Sequence, residues 1–414
     1  MKHSLWIAGL MLTANIVLAQ EIFIPKIKGL QIHGEAMDGF PVTGLDSSPV
    51  LIEFDLDNSQ PEDYRVKFYQ CDKDWNTTEN QFINDEMRNS TKFPIPFEHA
   101  PAGVQHYVYH YTLRVPGFPG IERFAYSGNY VFEIWDRDLA VLQARGRFFV
   151  AEHRIPFAMS IRNRYLPSTG IPLNQVNKIQ LAVALTDDPP SESDRIVPNF
   201  VRTVDIYKNR EVHAPYRIDV DDNNPHTFVD GFGTPNLVFS IDNIQPGNEY
   251  RHLDITDVDF YPADRLTRAR DGADVGRVFH QGPPDNDGEA VILANTQYSD
   301  YVKFQFELDR ETDDLSPVYV VGDFNDWLPG DAWKMSYDAP TARYVLQAEF
   351  RRGVYDYQYV SGGNDWRAVE GNDWRTVNQF TALLYCHDMR FGGFDRIIGV
   401  AQGTSPGGTQ ASTN

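Results

Sequence analysis

The residues best suited to chemistry are few and scattered. His106 and His110 in "HYVYHY" are the closest approach to a metal-ligating pair. Spacing of four aligns two imidazoles on a helix, but this segment alternates like a strand. On a strand the two share a face about 13 Å apart, too far to bind one ion. The acidic runs "DVDDNNPH" (219–226) and "PDNDGEA" (284–290) carry oxygen ligands of the kind calcium takes, without the spacing of a twelve-residue calcium loop. Paired carboxylates for glycoside hydrolysis could come from any of 58 acids, and nothing singles out a pair. The chain has no GxSxG, P-loop, HExxH or CxxC motif. What stands out is the triplet Asn-Asp-Trp, ending at Trp327, Trp366 and Trp374. A tryptophan beside turn residues stacks on a sugar, docks against a protein, or pins its own loop to a sheet.

The elements that must position these side chains read as strands. In "LIEFDLD" (51–57), Ile52, Phe54 and Leu56 share one face and Glu53, Asp55 and Asp57 the other, the alternation of a half-buried strand. The same style recurs at 64–70, 107–113, 130–135 and 147–156, then at 178–185, 201–207, 236–241 and 250–260. A third series lies at 301–308, 317–324, 342–350, 353–360 and 380–387. Aromatic residues make up 13% of the chain, which favours pleated sheets. No long window carries a helical period. The expected fold is all-β: three immunoglobulin-like sandwiches in series over residues 20–152, 153–295 and 296–402, with a flexible tail at 403–414.

Residues 1–19 read as a cleaved secretory signal: Lys2 and His3, an apolar stretch, then Val17-Leu18-Ala19 as the cleavage site. No Cys follows that site, which speaks against a lipoprotein, and no later stretch has the roughly 18 apolar residues of a spanning helix. Losing Lys2 takes the formal net charge from −21 to −22. Such acidity disfavours nucleic acid and anionic lipid as partners and suits a basic partner or simple solubility. Cys71 and Cys386 are too few for a disulfide framework, and they are expected to be unpaired.

Two resemblances follow from longer motifs. "VYVVGDFNDW", Met335, "ARYVLQAEF" and "GVYDYQYV" resemble the glycogen-binding type of carbohydrate-binding module and related early-set domains. That resemblance implies a sugar platform of Trp327 and Trp366, and hence a periplasmic carbohydrate-binding protein as the alternative function. The second covers nearly the whole mature chain. A CDxDW turn (Cys71, Asp72, Asp74, Trp75), an SGNY turn (Ser127, Gly128, Asn129, Tyr130) and a terminal FDRxxG element (Asp395, Arg396, Gly399) resemble the plug proteins of the bacterial type IX secretion system. This implies a periplasmic protein of Bacteroidota-type cells, without catalysis or cofactor. It would occlude the periplasmic mouth of the outer-membrane translocon barrel until substrate arrives. The motif residues are expected to be structural: Trp75 and Trp135 as core or loop-pinning rings, Asp74 and Asp326 as turn caps, and "FDRIIG" (394–399) as the strand sealing the third sandwich.

Overall fold

The computed structural model describes residues 20–35, 39–85, 87–152, 155–165, 175–185, 195–279, 284–315, 317–362 and 364–407. The expected secretory signal lies outside them, as does 408–414. Apart from single helical turns such as Arg367–Glu370, the regular elements are strands. The fold is all-β, built of packed sheets.

In the first unit, strands Ile27–Gly34, Val50–Leu56, Tyr109–Val115 and Phe97–His99 form one sheet. It packs on Arg65–Cys71, Gly128–Trp135 and Leu142–Ala151 through Ile52, Phe54, Tyr111, Phe68, Phe132 and Phe148. The alternation read at 51–57 does bury Ile52, Phe54 and Leu56, but Asp55 on the opposite face is also only 1% exposed. The reason is a neighbour that covers that face.

The second layer of the first unit does not end at its own edge. Leu142–Ala151 continues through Phe394–Thr404, Gln379–Asp388 and Val201–Lys208 to Tyr216–Asp219, and nine strands among the described residues make one sheet. Its far half packs on the sheet Phe157–Tyr165, Gln175–Ala184, Asn236–Ile244 and Thr227–Asp230, with Ile179, Phe239, Phe380, Leu384 and Ile398 between them.

The third unit is inserted between Asn236–Ile244 and Gln379–Asp388. Its sheets are Arg251–Asp254 with Gly353–Ser361, Val291–Ile292 and Val318–Gly322, and Leu266–Arg268 with Tyr301–Asp309, Arg343–Arg351 and Ser336–Asp338. Phe304, Phe306, Val320 and Tyr355 fill its core.

Three strand assignments are therefore corrected. The run at 380–387 is not part of the third sandwich: Gln379–Asp388 pairs with Val201–Lys208 and packs in the second unit's core. Strand 394–399 does not seal the third sandwich: it pairs with Gln379–Asp388 and touches Leu142–Ala151, joining the second unit to the first. The run at 250–260 yields the short strand Arg251–Asp254, which pairs with Gly353–Ser361 of the third unit. Alternation buries one face of a strand but does not choose its partner, and Leu142–Ala151 and Gly353–Ser361 lie 100 residues or more from the strands they meet. Residues 403–405 do not belong to a flexible tail: the last strand reaches Thr404, and the Ser405 amide donates to the Asn378 carbonyl at 2.8 Å.

Candidate functional site

The three motifs, far apart in the chain, meet where the first unit joins the second. Cys71 lies opposite Asn129 in register, which sets the CDKDW and SGNY turns side by side. The Asp395 turn closes over both. Gln70 Nε2 donates to the Asp395 carbonyl at 3.0 Å across 325 residues. The Lys73 amide donates to the Asp395 carboxylate at 3.0 Å, and His387 Nδ1 lies 2.9 Å from its other oxygen. Gly128 has φ +138°, and a Cβ there would sit 2.8 Å from the Asp395 carbonyl oxygen. Only glycine admits that approach.

Charged side chains reinforce the contact from both flanks. Arg396 donates to Glu152 at 2.8 and 2.7 Å and to Asp388 at 2.9 Å, while Ser127 donates to Glu152 at 2.7 Å. Tyr385 donates its hydroxyl to Asn129 Oδ1 at 2.8 Å. On the other flank Arg217 grips buried Asp205 at 2.7 and 2.8 Å, the Lys73 carbonyl at 2.9 Å, and Asp74. Burial opposes the Asp74 charge, but Arg217 and Lys73 outweigh it and hold its pKa below the usual range. Asp74 is therefore an ion-pair partner. The turn is capped by Asp72, whose carboxylate accepts from the Asp74 and Asn76 amides at 2.8 and 2.9 Å. Trp75 is pinned between Arg147, 4.4 Å from its ring centre, and Phe149 at 5.3 Å. Tyr130 donates to the Tyr126 carbonyl at 2.8 Å, and Gly399 lets Ile155 and Phe157 pack against the last strand.

Neither cysteine is paired, and both are buried. Burial pushes the Cys71 thiol up to about 11 and the Cys386 thiol to about 12, so neither is a thiolate at neutral pH. The seam pairs its carboxylates with arginines, Glu152 and Asp388 with Arg396, Asp205 and Asp74 with Arg217. What it does is lock two units together through buried, paired charge.

A second seam joins the first unit to the third and explains why Asp55 is buried. Its carboxylate accepts from Tyr301 Oη at 2.9 Å and Arg351 at 3.2 and 3.3 Å, and pairs with His110 Nδ1 at 2.8 Å. Burial opposes a charged His110, but hydrogen bonds to Asp55 and Glu53 outweigh it and raise its pKa to about 9. His106 pairs with a different carboxylate, Asp300, at 3.0 Å. The cleft beside this seam, about 320 Å³, has a mixed lining that includes His33, Glu53, His110, Arg210, Asp323 and Arg351 beside Ile292 and Leu293. Arg351 reaches across the junction to Asp55 and Arg210 pairs with Asp323 of the third unit, while His33 and His110 pair with Glu53 within the first unit. The sequence does not mark Asp55, His110, Tyr301 and Arg351 as a group, because the outward face of an alternating strand reads as solvent and these residues lie up to 296 positions apart.

Among the described residues no group of three or more His, Cys, Asp or Glu side chains is arranged to hold a metal ion. In the acidic runs, Asp219 accepts from Thr203 at 2.6 Å and Asp285 from the Asp287 amide at 2.9 Å.

The tryptophans do not form an open platform. Trp327 is 1% exposed, its ring 4.0 Å from that of Tyr250. Trp366 is half-buried, flanked by Lys208 at 5.7 Å and Arg367 at 5.2 Å. The sugar platform implied by the resemblance is corrected accordingly, because a covered ring offers no face to a ligand. Asp326 is not a turn cap either: it is buried, accepts from Gln20 at 3.1 Å, and burial raises its pKa to about 8. Asn325 closes that turn by accepting from the Gly322 amide at 3.0 Å.

Residues 27–152 match the family described as type 9 secretion system plug protein 1st domain. The match supports the plug family, and it spans the CDKDW and SGNY turns with Glu152, the first unit's half of the seam. Along nearly its whole length the chain is similar to the crystal structure of a hypothetical protein from Parabacteroides merdae. Identity is 18%, the alignment covers 94% of this chain and 99% of that one, and the TM-score is 0.75. At that identity the likeness is one of fold. Murine CEACAM1b aligns over 52% of this chain and 86% of its own at 12% identity, with a TM-score of 0.16. No curated protein matches. Among the described residues no helix is long and apolar enough to cross a membrane.

Proposed function

We propose that the protein is a non-catalytic periplasmic plug, which docks on the periplasmic opening of the type IX secretion outer-membrane translocon barrel and preserves the permeability barrier until substrate engages. The observation that carries this reading is the family match over residues 27–152. A body that covers a pore must resist bending at its joints. The shared nine-stranded sheet and the buried Asp55–Arg351 and Glu152–Arg396 pairs support such stiffness. A net charge of −21 favours basic groups at the barrel mouth, and reversible docking calls for a polar-rimmed interface of moderate size. Affinity capture from native outer membranes tests the reading. The translocon barrel should be recovered with the wild-type protein, and recovery of no translocon subunit refutes it.

A further inference from the structure

Asp326 is a buried acid at the place where the three units meet. Its turn in the third unit is held on both sides. The Asp326 and Trp327 amides donate to the Asp323 and Gly322 carbonyls at 3.2 and 2.9 Å, and Tyr250 covers the Trp327 ring at 4.0 Å. From the second unit, Arg210 pairs with Asp323 of the same turn at 3.4 Å, and His213 lies against the Asp326 backbone. From the first unit come Arg147, whose guanidinium stacks on Trp75 at 4.4 Å, and Gln20, whose Nε2 donates to Asp326 Oδ1 at 3.1 Å.

These neighbours leave the acid half satisfied. Asp326 Oδ2 makes no hydrogen bond, and neither do Arg210 Nη1, Arg147 Nε or the ring nitrogens of His213. Burial and the like charge of Asp323 raise the Asp326 pKa to about 8, against the pull of Arg210 and Arg147. Burial lowers the His213 pKa, so that ring is uncharged at neutral pH. A buried carboxylate needs a close cation to ionise, and none of these groups reaches Oδ2.

The contact with Gln20 points to one. Gln20 follows Ala19, the last residue of the expected secretory signal, so cleavage there turns its peptide nitrogen into an α-ammonium. That nitrogen is within one side-chain length of the Nε2 already bonded to Asp326. The strand that carries it is fixed in place: Gln20 lies opposite Gly146 in register, Glu21 pairs with Arg145, and the Phe23 amide donates to the Gln143 carbonyl at 2.9 Å.

We propose that removal of the signal after Ala19 supplies a partner for Asp326, so that the new α-ammonium of Gln20 and the Asp326 carboxylate clamp the first unit to the third. The inference rests on reading residues 1–19 as a cleaved signal. The step is a hydrolysis by the peptidase that removes the signal: water adds across the Ala19–Gln20 peptide bond, leaving a carboxylate on Ala19 and an ammonium on Gln20. The precursor has an uncharged amide at that nitrogen, and the exported chain has the clamp, which couples the stiffness of the three-unit body to export.

The test compares two full mature chains. One is exported through its own leader, and its N-terminus is read by intact mass and N-terminal sequencing. The other is made without the leader and begins with an added Met before Gln20, which moves the ammonium one residue away. In urea denaturation at neutral pH the Met-extended chain should have an unfolding equilibrium constant about tenfold larger, the equivalent of one pKa unit. Pairing raises the α-amine above its ordinary value of about 8, so the gap should be full at neutral pH and close as pH rises beyond the raised value. In the Asp326→Asn background the two chains should match. Equal stability of the two chains, or a difference that persists in Asp326→Asn, overturns the clamp and leaves the cleavage reading standing. An exported chain that begins at another residue overturns both. An exported chain lighter by one ammonia, its Gln20 cyclised by attack of the α-amine on the side-chain amide, also overturns the clamp, since that ring has neither the ammonium nor Nε2.

Discussion

His110 offers the sharpest check on the seam between the first and third units. It sits between Asp55 at 2.8 Å and Glu53 at 3.4 Å, beside Arg351. Its ordinary value is 6.5 and the folded value is about 9. A folded-state pKa above the unfolded one means that the stabilisation is complete below about pH 6.5 and is lost as pH rises through about 9. At about 1.4 kcal/mol per pKa unit, the interaction is worth about 3 kcal/mol, and the small exposure of the side chain leaves little to solvent screening. The perturbation is His110→Gln, which keeps a polar side chain and removes the titration. Asp285 and Asp326, raised to about 7 and about 8 by burial, titrate in the same window. The difference between wild type and variant therefore isolates His110. Urea denaturation followed by tryptophan fluorescence at half-unit steps from pH 6 to pH 9.5 is the assay. The wild-type advantage should be greatest near pH 6 and shrink by about 3 kcal/mol toward the alkaline end. Parallel curves across the range would mean that His110 is not held as a cation between the two carboxylates, and the account of this seam would be wrong.

Three further outcomes are expected. Gly128→Ala places a Cβ 2.6 Å from Gln70 Nε2 and 2.8 Å from the Asp395 carbonyl at φ +138°, and should destabilise by about 2–4 kcal/mol in thermal denaturation, whereas Gly362→Ala, with open space, should not. Arg217→Met strands the Asp205 carboxylate, which is 1% exposed, and should cost about 3–5 kcal/mol; the double variant Arg217→Met/Asp205→Leu should recover most of it in a denaturant series. Maltoheptaose should leave the intrinsic tryptophan fluorescence unchanged, because Trp327 is covered by Tyr250; quenching that disappears in Trp366→Ala would reopen the carbohydrate reading.

The all-β architecture was legible because period-2 alternation is local: Ile52, Phe54 and Leu56 declare a buried face within seven residues, and the structure buries all three. Turn chemistry was legible in kind but not in atom. Asp72 and Asn325, rather than Asp74 and Asp326, close their turns, since a one- or two-residue offset decides which carboxyl reaches an amide and only backbone geometry fixes that offset. The plug resemblance rested on three motifs whose order could be read, while their meeting around Asp395 could not, as it depends on strand Phe394–Thr404 pairing across to the first unit. The same holds for Asp55, whose outward position predicts solvent and whose burial follows from Tyr301 and Arg351 of an inserted unit. By itself the sequence determined the all-β class, the alternation of most strands and the kind of protein they resemble, because those depend on neighbours in the chain; Ile27–Gly34 and Phe157–Tyr165 went unread. Only the tertiary structure decided which faces meet, which charges are buried in pairs and which rings remain outside, because those depend on contacts between residues hundreds of positions apart.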